Sequence, residues 1–343
     1  MNLKRKSKPV KYLKNIYECL AILSTIQFVF GTLSFRKVRM KFVTSALTTI
    51  YTQTIQIIAI AGIIIGIYWK ISSPEHSTIL RQISPLVLFI GAMEIVVSMI
   101  SFLITTTSLH IYRRQHIQLL DRLDAVDRQL ISEFNVNMNY HKMVRKNVGV
   151  VTILMSYYIL STMSLLIQLA ENDYLNMLNI AIWYTIITVG PHSCSYGHMN
   201  SADLIRIRFR LLQKLMKPEF LLKRYADSRI RTSKLKCLVG VYKELFGIIE
   251  MLNLVYGPSL LSILLHDFTL TTSEFYILLW KTADSDSNVI LAVLFFMISP
   301  VYKIVCSPLY THFSIVEVSI AFLRKLKKSS CLSRTVQAVS VPD

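Results

Sequence analysis

The run Ile57-Ile-Ala-Ile-Ala-Gly-Ile-Ile-Ile-Gly-Ile67 decides the fold class, because none of its side chains is polar. It lies in an apolar window of about 44–69, which as a helix is long enough to cross the roughly 30 Å hydrocarbon core of a bilayer. Five further windows of similar character follow at about 83–109, 148–169, 174–197, 248–267 and 288–306. Backbone amides in lipid must be satisfied within each segment, and the alternation of barrel strands is absent. The pattern predicts an all-α membrane protein with about six transmembrane helices.

The composition of the 343 residues supports this class. Hydrophobic residues make up 53% of the chain, charged residues only 17%, and the mean hydropathy is +0.47, which is too apolar for a wetted surface. The net charge of +18 does not indicate nucleic-acid binding, because the cations stand in blocks between apolar windows and form no basic face of a soluble domain.

The distribution of Lys and Arg predicts the topology. Ten lie in residues 1–41, seven in 110–147, twelve in 198–246 and five in 312–343, so these segments are expected in the cytosol. The alternate loops are acidic, with Asp267 and Glu274 among their residues, and are expected outside; Lys303 is expected to snorkel to the cytosolic face. We therefore divide the chain into a basic cytosolic N-terminal segment (1–41), a helical bundle (42–310) and a cytosolic tail (311–343).

The two longest cytosolic loops, 110–147 and 198–246, keep helical spacing of their apolar residues and are interpreted as stems that extend the spans. One stripe consists of Leu119, Leu123, Val126 and Leu130, a second of Leu204, Ile207, Leu211 and Leu215, and a third of Leu235, Leu238, Tyr242, Leu245 and Ile249. We expect the stems to pack into a bundle below the membrane. A basic amphipathic surface that lies on anionic lipid is the alternative.

No pattern typical of an enzyme occurs. Motifs for zinc proteases, serine hydrolases and phosphate-binding loops are absent, and the cysteines lack metal-ligand or redox spacing. We predict no catalytic residue, no cofactor and no metal site; His192, Cys194 and His198 are interpreted as packed or interfacial side chains. Glu94, near the middle of the second span, is the exception, because an ionisable residue in lipid indicates function by default. Its alternative is a carboxyl group that is protonated or paired to a hydroxyl such as that of Ser98.

Aromatic and polar residues collect in the outer halves of the spans. Trp183, Tyr184, Tyr256 and His266 are the candidates that we select, with Glu94, for a ligand pocket between helices. Interfacial aromatic belts use the same residue types and are the competing interpretation.

Four local patterns resemble those of the insect gustatory receptor family, in the same order. They are Gly31-Thr-Leu-Ser-Phe35 before the first span, Leu120-Asp-Arg-Leu-Asp-Ala-Val-Asp-Arg-Gln-Leu130, Phe209-Arg-Leu-Leu-Gln-Lys-Leu215, and the stretch from Leu245 to Leu261 that leads into the fifth span. The resemblance covers about residues 15–325. It implies a gustatory receptor subunit in the plasma membrane of sensory neurons, with a cytosolic N-terminus, that forms a homo- or hetero-tetrameric ligand-gated cation channel. Small organic tastants would bind in the outer halves of the helices, and membrane lipid would surround them.

One departure from the family pattern affects the part of the family that lines the pore. The family ends in a seventh helix of the form T-Y-h-h-h-h-h-Q-F that lines the pore, and Pro308-Leu-Tyr-Thr-His-Phe313 does not match it. No pore residue is therefore predicted, and similarity is expected to stop near Lys328. The resulting hypothesis is a C-terminally shortened subunit that does not conduct alone. An insect odorant receptor, a G-protein-coupled receptor and a transporter are the alternatives; the last two lack their expected motifs and repeats.

Overall fold

A computed structural model describes residues 16–39, 41–72, 85–136, 138–169, 174–282, 294, 297–298 and 300–305. In these ranges the helices are α1 (Ile16–Val29), α2 (Ala46–Ser72), α3 (Pro85–Ile111), α4 (Arg113–Phe134), α5 (Tyr140–Leu169), α6 (Tyr174–Leu215), α7 (Pro218–Arg224) and α8 (Ser228–Thr282), and residues 300–305 are helical too. Strands β1 (Phe35–Val38) and β2 (Lys41–Thr44) form one antiparallel hairpin, with Phe35 opposite Thr44. The predicted all-α membrane class is confirmed; the hairpin was not predicted.

Three helices of the described residues are long and apolar enough to cross a membrane, namely Ala46–Trp69, Phe89–Ile111 and Ser228–Tyr276. Helices α5 and α6 cover the predicted windows 148–169 and 174–197 without interruption. Large apolar side chains such as Ile57, Ile64 and Leu261 point away from the protein, as expected of helices that face lipid tails. The sixth window lies mostly outside the described residues, so the number of crossings and the side of each loop stay predictions.

The predicted stems form a bundle with a shared core. Leu119, Leu123, Val126 and Leu130 of α4 are all buried, and Leu238, Leu245 and Ile249 of α8 join the same apolar cluster. In α6 the buried face is displaced from the predicted stripe: Ile205, Arg208, Phe209 and Leu212 are fully buried, whereas Ile207 and Leu211 are only half-buried. The stripe was misplaced because a buried cation, Arg208, occupies the centre of the packed face.

Arg208 is buried without exposed surface and binds Asp127 of α4 in a two-pronged ion pair. Its Nε donates to Asp127 Oδ1 at 2.8 Å, its Nη2 donates to Oδ2, and its Nη1 donates to the backbone carbonyl of Leu204 at 2.8 Å. Tyr140 of α5 donates its hydroxyl to Asp127 Oδ2 at 2.5 Å. Burial acts to lower the pKa of Arg208, but the charge of Asp127 and its hydrogen bonds raise that pKa overall. The pair connects stems α4 and α6, and Tyr140 connects the start of α5 to them.

We predict that Arg208→Met lowers the free energy of unfolding by about 3–5 kcal/mol, because it leaves the Asp127 carboxylate buried without its partner. The measurement is thermal unfolding in detergent, followed by a thiol-reactive dye that reports exposure of the buried Cys19 and Cys194. Arg122→Met is the matched control, since Arg122 of α4 pairs with Glu244 and both side chains are about half exposed; its cost should stay below about 1 kcal/mol. Equal losses in the two variants would contradict the role of the buried pair.

Helices α2 and α6 approach closely at Gly62. A Cβ atom at Gly62 would lie 2.3 Å from ring atoms of Trp183, whose Nε1 donates to Asn179 Oδ1 at 2.8 Å. Small residues that let helix backbones approach are typical of contacts between membrane helices. The indole ring of Trp183 thus occupies space that is open only because residue 62 is a glycine.

Gly62→Ala should lower the free energy of unfolding by about 1–3 kcal/mol, because the indole of Trp183 must shift from its site. Gly91→Ala on α3 is the control, since a Cβ there meets no atom within 4 Å and alanine is the better helix former. The same dye-based unfolding assay ranks the two variants. A loss at Gly91 as large as that at Gly62 would show that packing against Trp183 is not the cause.

Candidate functional site

The site is centred on the carboxylate of Asp267, which is buried in α8. Lys303 donates from Nζ to Asp267 Oδ1 at 2.6 Å, and two imidazole nitrogens, Nε2 of His192 and Nδ1 of His266, lie 3.3 Å from the same oxygen. His192 comes from α6 and Lys303 from residues 300–305, so three segments meet at this carboxylate. All four side chains are at most 4% exposed as residues.

A chain of polar contacts extends from Asp267 through the neighbouring His266 to α3. His266 Nε2 lies 2.9 Å from the hydroxyl of Ser98, which donates to the backbone carbonyl of Glu94 at 2.8 Å. The carboxyl group of Glu94 accepts from the hydroxyl of Tyr184 at 2.6 Å. The side chains of α3, α6 and α8 therefore form one continuous polar network among apolar helices.

The structure brings together three of the five selected residues: Glu94, Tyr184 and His266 belong to this network. Trp183 lies on the next face of α6, against Gly62 and an apolar cluster. Tyr256 lies apart from the network, where its hydroxyl is 3.0 Å from Nε2 of His116 in stem α4. Glu94 pairs through its side chain with Tyr184, whereas Ser98, the expected partner, binds only its backbone carbonyl.

Two sequence predictions about this region were wrong. Asp267 and Glu274 were expected in a loop, but α8 continues through both and ends at Thr282; their expected position outside stays a prediction. Lys303 was expected to snorkel to the membrane surface, but it is 3% exposed and ends on Asp267. The physical reason is shared: an anion and a cation that neutralise each other can stay inside the bundle, whereas either one alone would seek water.

Sequence reasoning did not assign three members of the network to a site, namely His192, Asp267 and Lys303; Ser98 was named only as a possible partner of the Glu94 carboxyl group. A sequence signal for Asp267 was present, because apolar residues return from Phe275 to Trp280 and allow a helix to continue past Asp267. The contact of Lys303 with Asp267 joins residues 36 positions apart and has no local pattern.

Tyr256 of α8 borders a small cavity between α1, the hairpin, α4, α6 and α8. It is lined by polar groups of Ser24, Gln27, Ser201 and His116. The volume open to the centre of a water-sized sphere is about 20 Å³, which holds about one water. Burial lowers the pKa of His116 to about 4, so its imidazole is neutral. This cavity is too small for an organic ligand in the described conformation.

The fold and the network define a polytopic helical membrane protein with a polar site inside its bundle, and comparison with known proteins identifies its family. Residues 20–338 match the family described as "7tm Chemosensory receptor". The chain is 32% identical over 314 residues to "Putative gustatory receptor 57a" of Drosophila melanogaster, which covers 89% of this chain and 76% of that relative. It is 24% identical over 222 residues to "Putative gustatory receptor 47b" of the same organism, with 63% and 53% covered.

The chain therefore belongs to the 7tm chemosensory receptor family, a family of receptors and not of enzymes. The predicted membership in the gustatory receptors is confirmed by these relatives. The family match extends to residue 338, past Lys328, where the resemblance was expected to stop, so the predicted limit of similarity was too early.

Removing the hydroxyl of Tyr184 should weaken the network. We expect Tyr184→Phe to lower the free energy of unfolding by about 1–3 kcal/mol, because the buried carboxyl group of Glu94 loses its hydrogen-bond donor. Tyr68→Phe is the matched control, since Tyr68 on α2 is 67% exposed. Thermal unfolding in detergent measures both variants, and an unchanged midpoint for Tyr184→Phe would contradict the hydrogen bond.

Proposed function

We propose that this chain is a gustatory receptor subunit of a ligand-gated cation channel and that a small organic tastant binds between α3, α6 and α8. The observation that carries the proposal is the network from Tyr184 through Glu94, Ser98 and His266 to Asp267. Ionisable side chains inside membrane helices are costly to keep and mark ligand or ion pathways by default. Family membership supports the receptor class, and the relatives named above are described as gustatory receptors.

The geometry supports a mechanism in which a ligand competes for hydrogen bonds within the network. A hydroxyl, amide or amine of the tastant would bind Glu94 or Tyr184, while Trp183 and the neighbouring apolar cluster of Ala59, Ile63 and Phe102 would contact its apolar part. The bound ligand opens the channel only if it binds the open packing of the helices more tightly than the closed one. We propose the same assembly as for the family: a homo- or hetero-tetramer in the plasma membrane of sensory neurons, with a cytosolic N-terminus.

The experiment is whole-cell recording from cells that express the chain alone or together with another gustatory receptor subunit. The test compounds are a panel of sugars, bitter compounds and lipids. A reproducible cation current evoked by at least one compound is the expected result in the co-expressing cells. Current from the chain alone would contradict the hypothesis that other subunits supply the pore. Silence in both settings, with the chain present at the surface, would contradict the proposed function.

Site variants sharpen this recording. Glu94→Gln and Tyr184→Phe should each raise the half-maximal tastant concentration by about tenfold, because each removes one hydrogen bond to the ligand or to its partner. Glu250→Gln serves as the control for Glu94, since Glu250 is exposed on α8, and Tyr68→Phe serves as the control for Tyr184. If the half-maximal tastant concentration is unchanged in both site variants, the tastant binds elsewhere in the bundle.

A further inference from the structure

Three donor groups of α6 and α8 have the composition of a metal site. One donor atom from each of His192, His266 and Asp267 lies within 4.8 Å of the other two. The nitrogens beside Asp267 Oδ1 are Nε2 of His192 and Nδ1 of His266, each 3.3 Å away. Two imidazoles and one carboxylate are a donor set that Zn²⁺ accepts. The sequence interpretation had considered His192 with Cys194 and His198, but the donor set uses neither of these two neighbours.

The hydrogen bonds around His266 determine which of its nitrogens carries the proton. When Ser98 donates its single hydroxyl hydrogen to the carbonyl of Glu94, it can only accept towards His266. It therefore accepts from Nε2–H, and the neutral imidazole of His266 presents the lone pair of Nδ1 to Asp267 Oδ1, 3.3 Å away. Two lone pairs then face each other without a hydrogen between them, and a cation beside them removes the repulsion.

Lys303 supplies that cation. Its ammonium group donates to Asp267 Oδ1 at 2.6 Å and is a compact point charge on a flexible stem. The cation is thus tethered to the chain through the helical residues 300–305, and it can be replaced without changing the three donors.

We propose that His192, His266 and Asp267 form a transition-metal site at which Zn²⁺ competes with the ammonium group of Lys303. Ser98 holds His266 in the tautomer whose Nδ1 is free to bind the ion, as the groups behind metal-bound histidines do. Binding through Nε2 of His192 moves its proton to Nδ1, which has no hydrogen-bond partner among the described side chains. The unpaired proton on Nδ1 of His192 weakens the binding of Zn²⁺. In the wild-type protein the ammonium group of Lys303 is therefore favoured over the ion at Asp267.

The test measures the midpoint of thermal unfolding of the purified full chain in detergent against the concentration of Zn²⁺, with a chelator as the zero point. Lys303→Met keeps the length of the side chain and removes its charge. Zn²⁺ should raise the midpoint of Lys303→Met at a concentration at least about tenfold lower than for the wild type, since the ammonium no longer competes. Adding Ser98→Ala to this variant should raise the required concentration by about tenfold.

Ligand variants in the Lys303→Met background identify the site. His192→Ala and His266→Ala should each abolish the effect of Zn²⁺. His198→Ala should retain it, because His198 is a buried histidine of the same helix outside the donor set. The double variant Asp267→Asn/Lys303→Met, which buries no charge at this position, should fold without Zn²⁺ and show no shift.

Folding of the single variant does not decide the question alone. If folded Lys303→Met protein can be purified only with Zn²⁺ present, the proposal is supported. If it is not recovered in either condition, the wild type decides: a Zn²⁺ shift that His192→Ala and His266→Ala abolish supports the site, and no shift overturns it. A shift that persists in both histidine variants would likewise overturn it, since the ion would then bind elsewhere.

Discussion

A carboxylate held among apolar helices must be neutralised where it lies, and the central part of this structure depends on how Asp267 meets that constraint. In water the charge would need no partner, but in a medium of low dielectric an unpaired ion is costly. Lys303 supplies the opposite charge, and two imidazoles lie beside the same oxygen. The pairing fixes α8 against α6 and against residues 300–305, and through Ser98 it fixes α3 as well.

The stems contain a second buried carboxylate that is neutralised by a buried cation. Asp127 and Arg208 are both buried, and the hydroxyl of Tyr140 satisfies a further lone pair of the carboxylate. Around them the side chains are leucine, isoleucine and phenylalanine, which pack without directional preference. Two buried ion pairs, one in the stems and one at Asp267, thus connect helices through directional contacts that apolar side chains do not provide.

The sequence predicted the elements better than their connections. Apolar windows and helical stripes located helices α2, α3, α5 and α6 and the stems, because the hydrophobic effect acts on composition and period, but they misplaced the buried face of α6. Gly31, whose positive φ ends α1 and begins the hairpin, was recognised only as part of a family pattern. The course of α8 through Asp267 was missed, since charge on its own suggests a loop. Glu94 was recognised from its position in an apolar window, but Lys303 was assigned to solvent because its partner is distant in sequence.

Helix α8 has 55 residues, with a proline inside it at position 258. The distance along it from Asp267 to Leu238 is about 44 Å at the usual rise of 1.5 Å per residue. One helix therefore contributes to the polar network at Asp267 and to the stem core at Leu238. Pro258 lacks the amide hydrogen that would bind the carbonyl of Leu254, and a helix bends most easily at such a point. Helix α8 therefore bends most easily at Pro258, between Leu238 and Asp267. Leu238 lies about 30 Å from Pro258 along the helix, so a bend of about 10° there would displace it by about 5 Å. A change at Asp267 that bends α8 would therefore also change the packing of the stems.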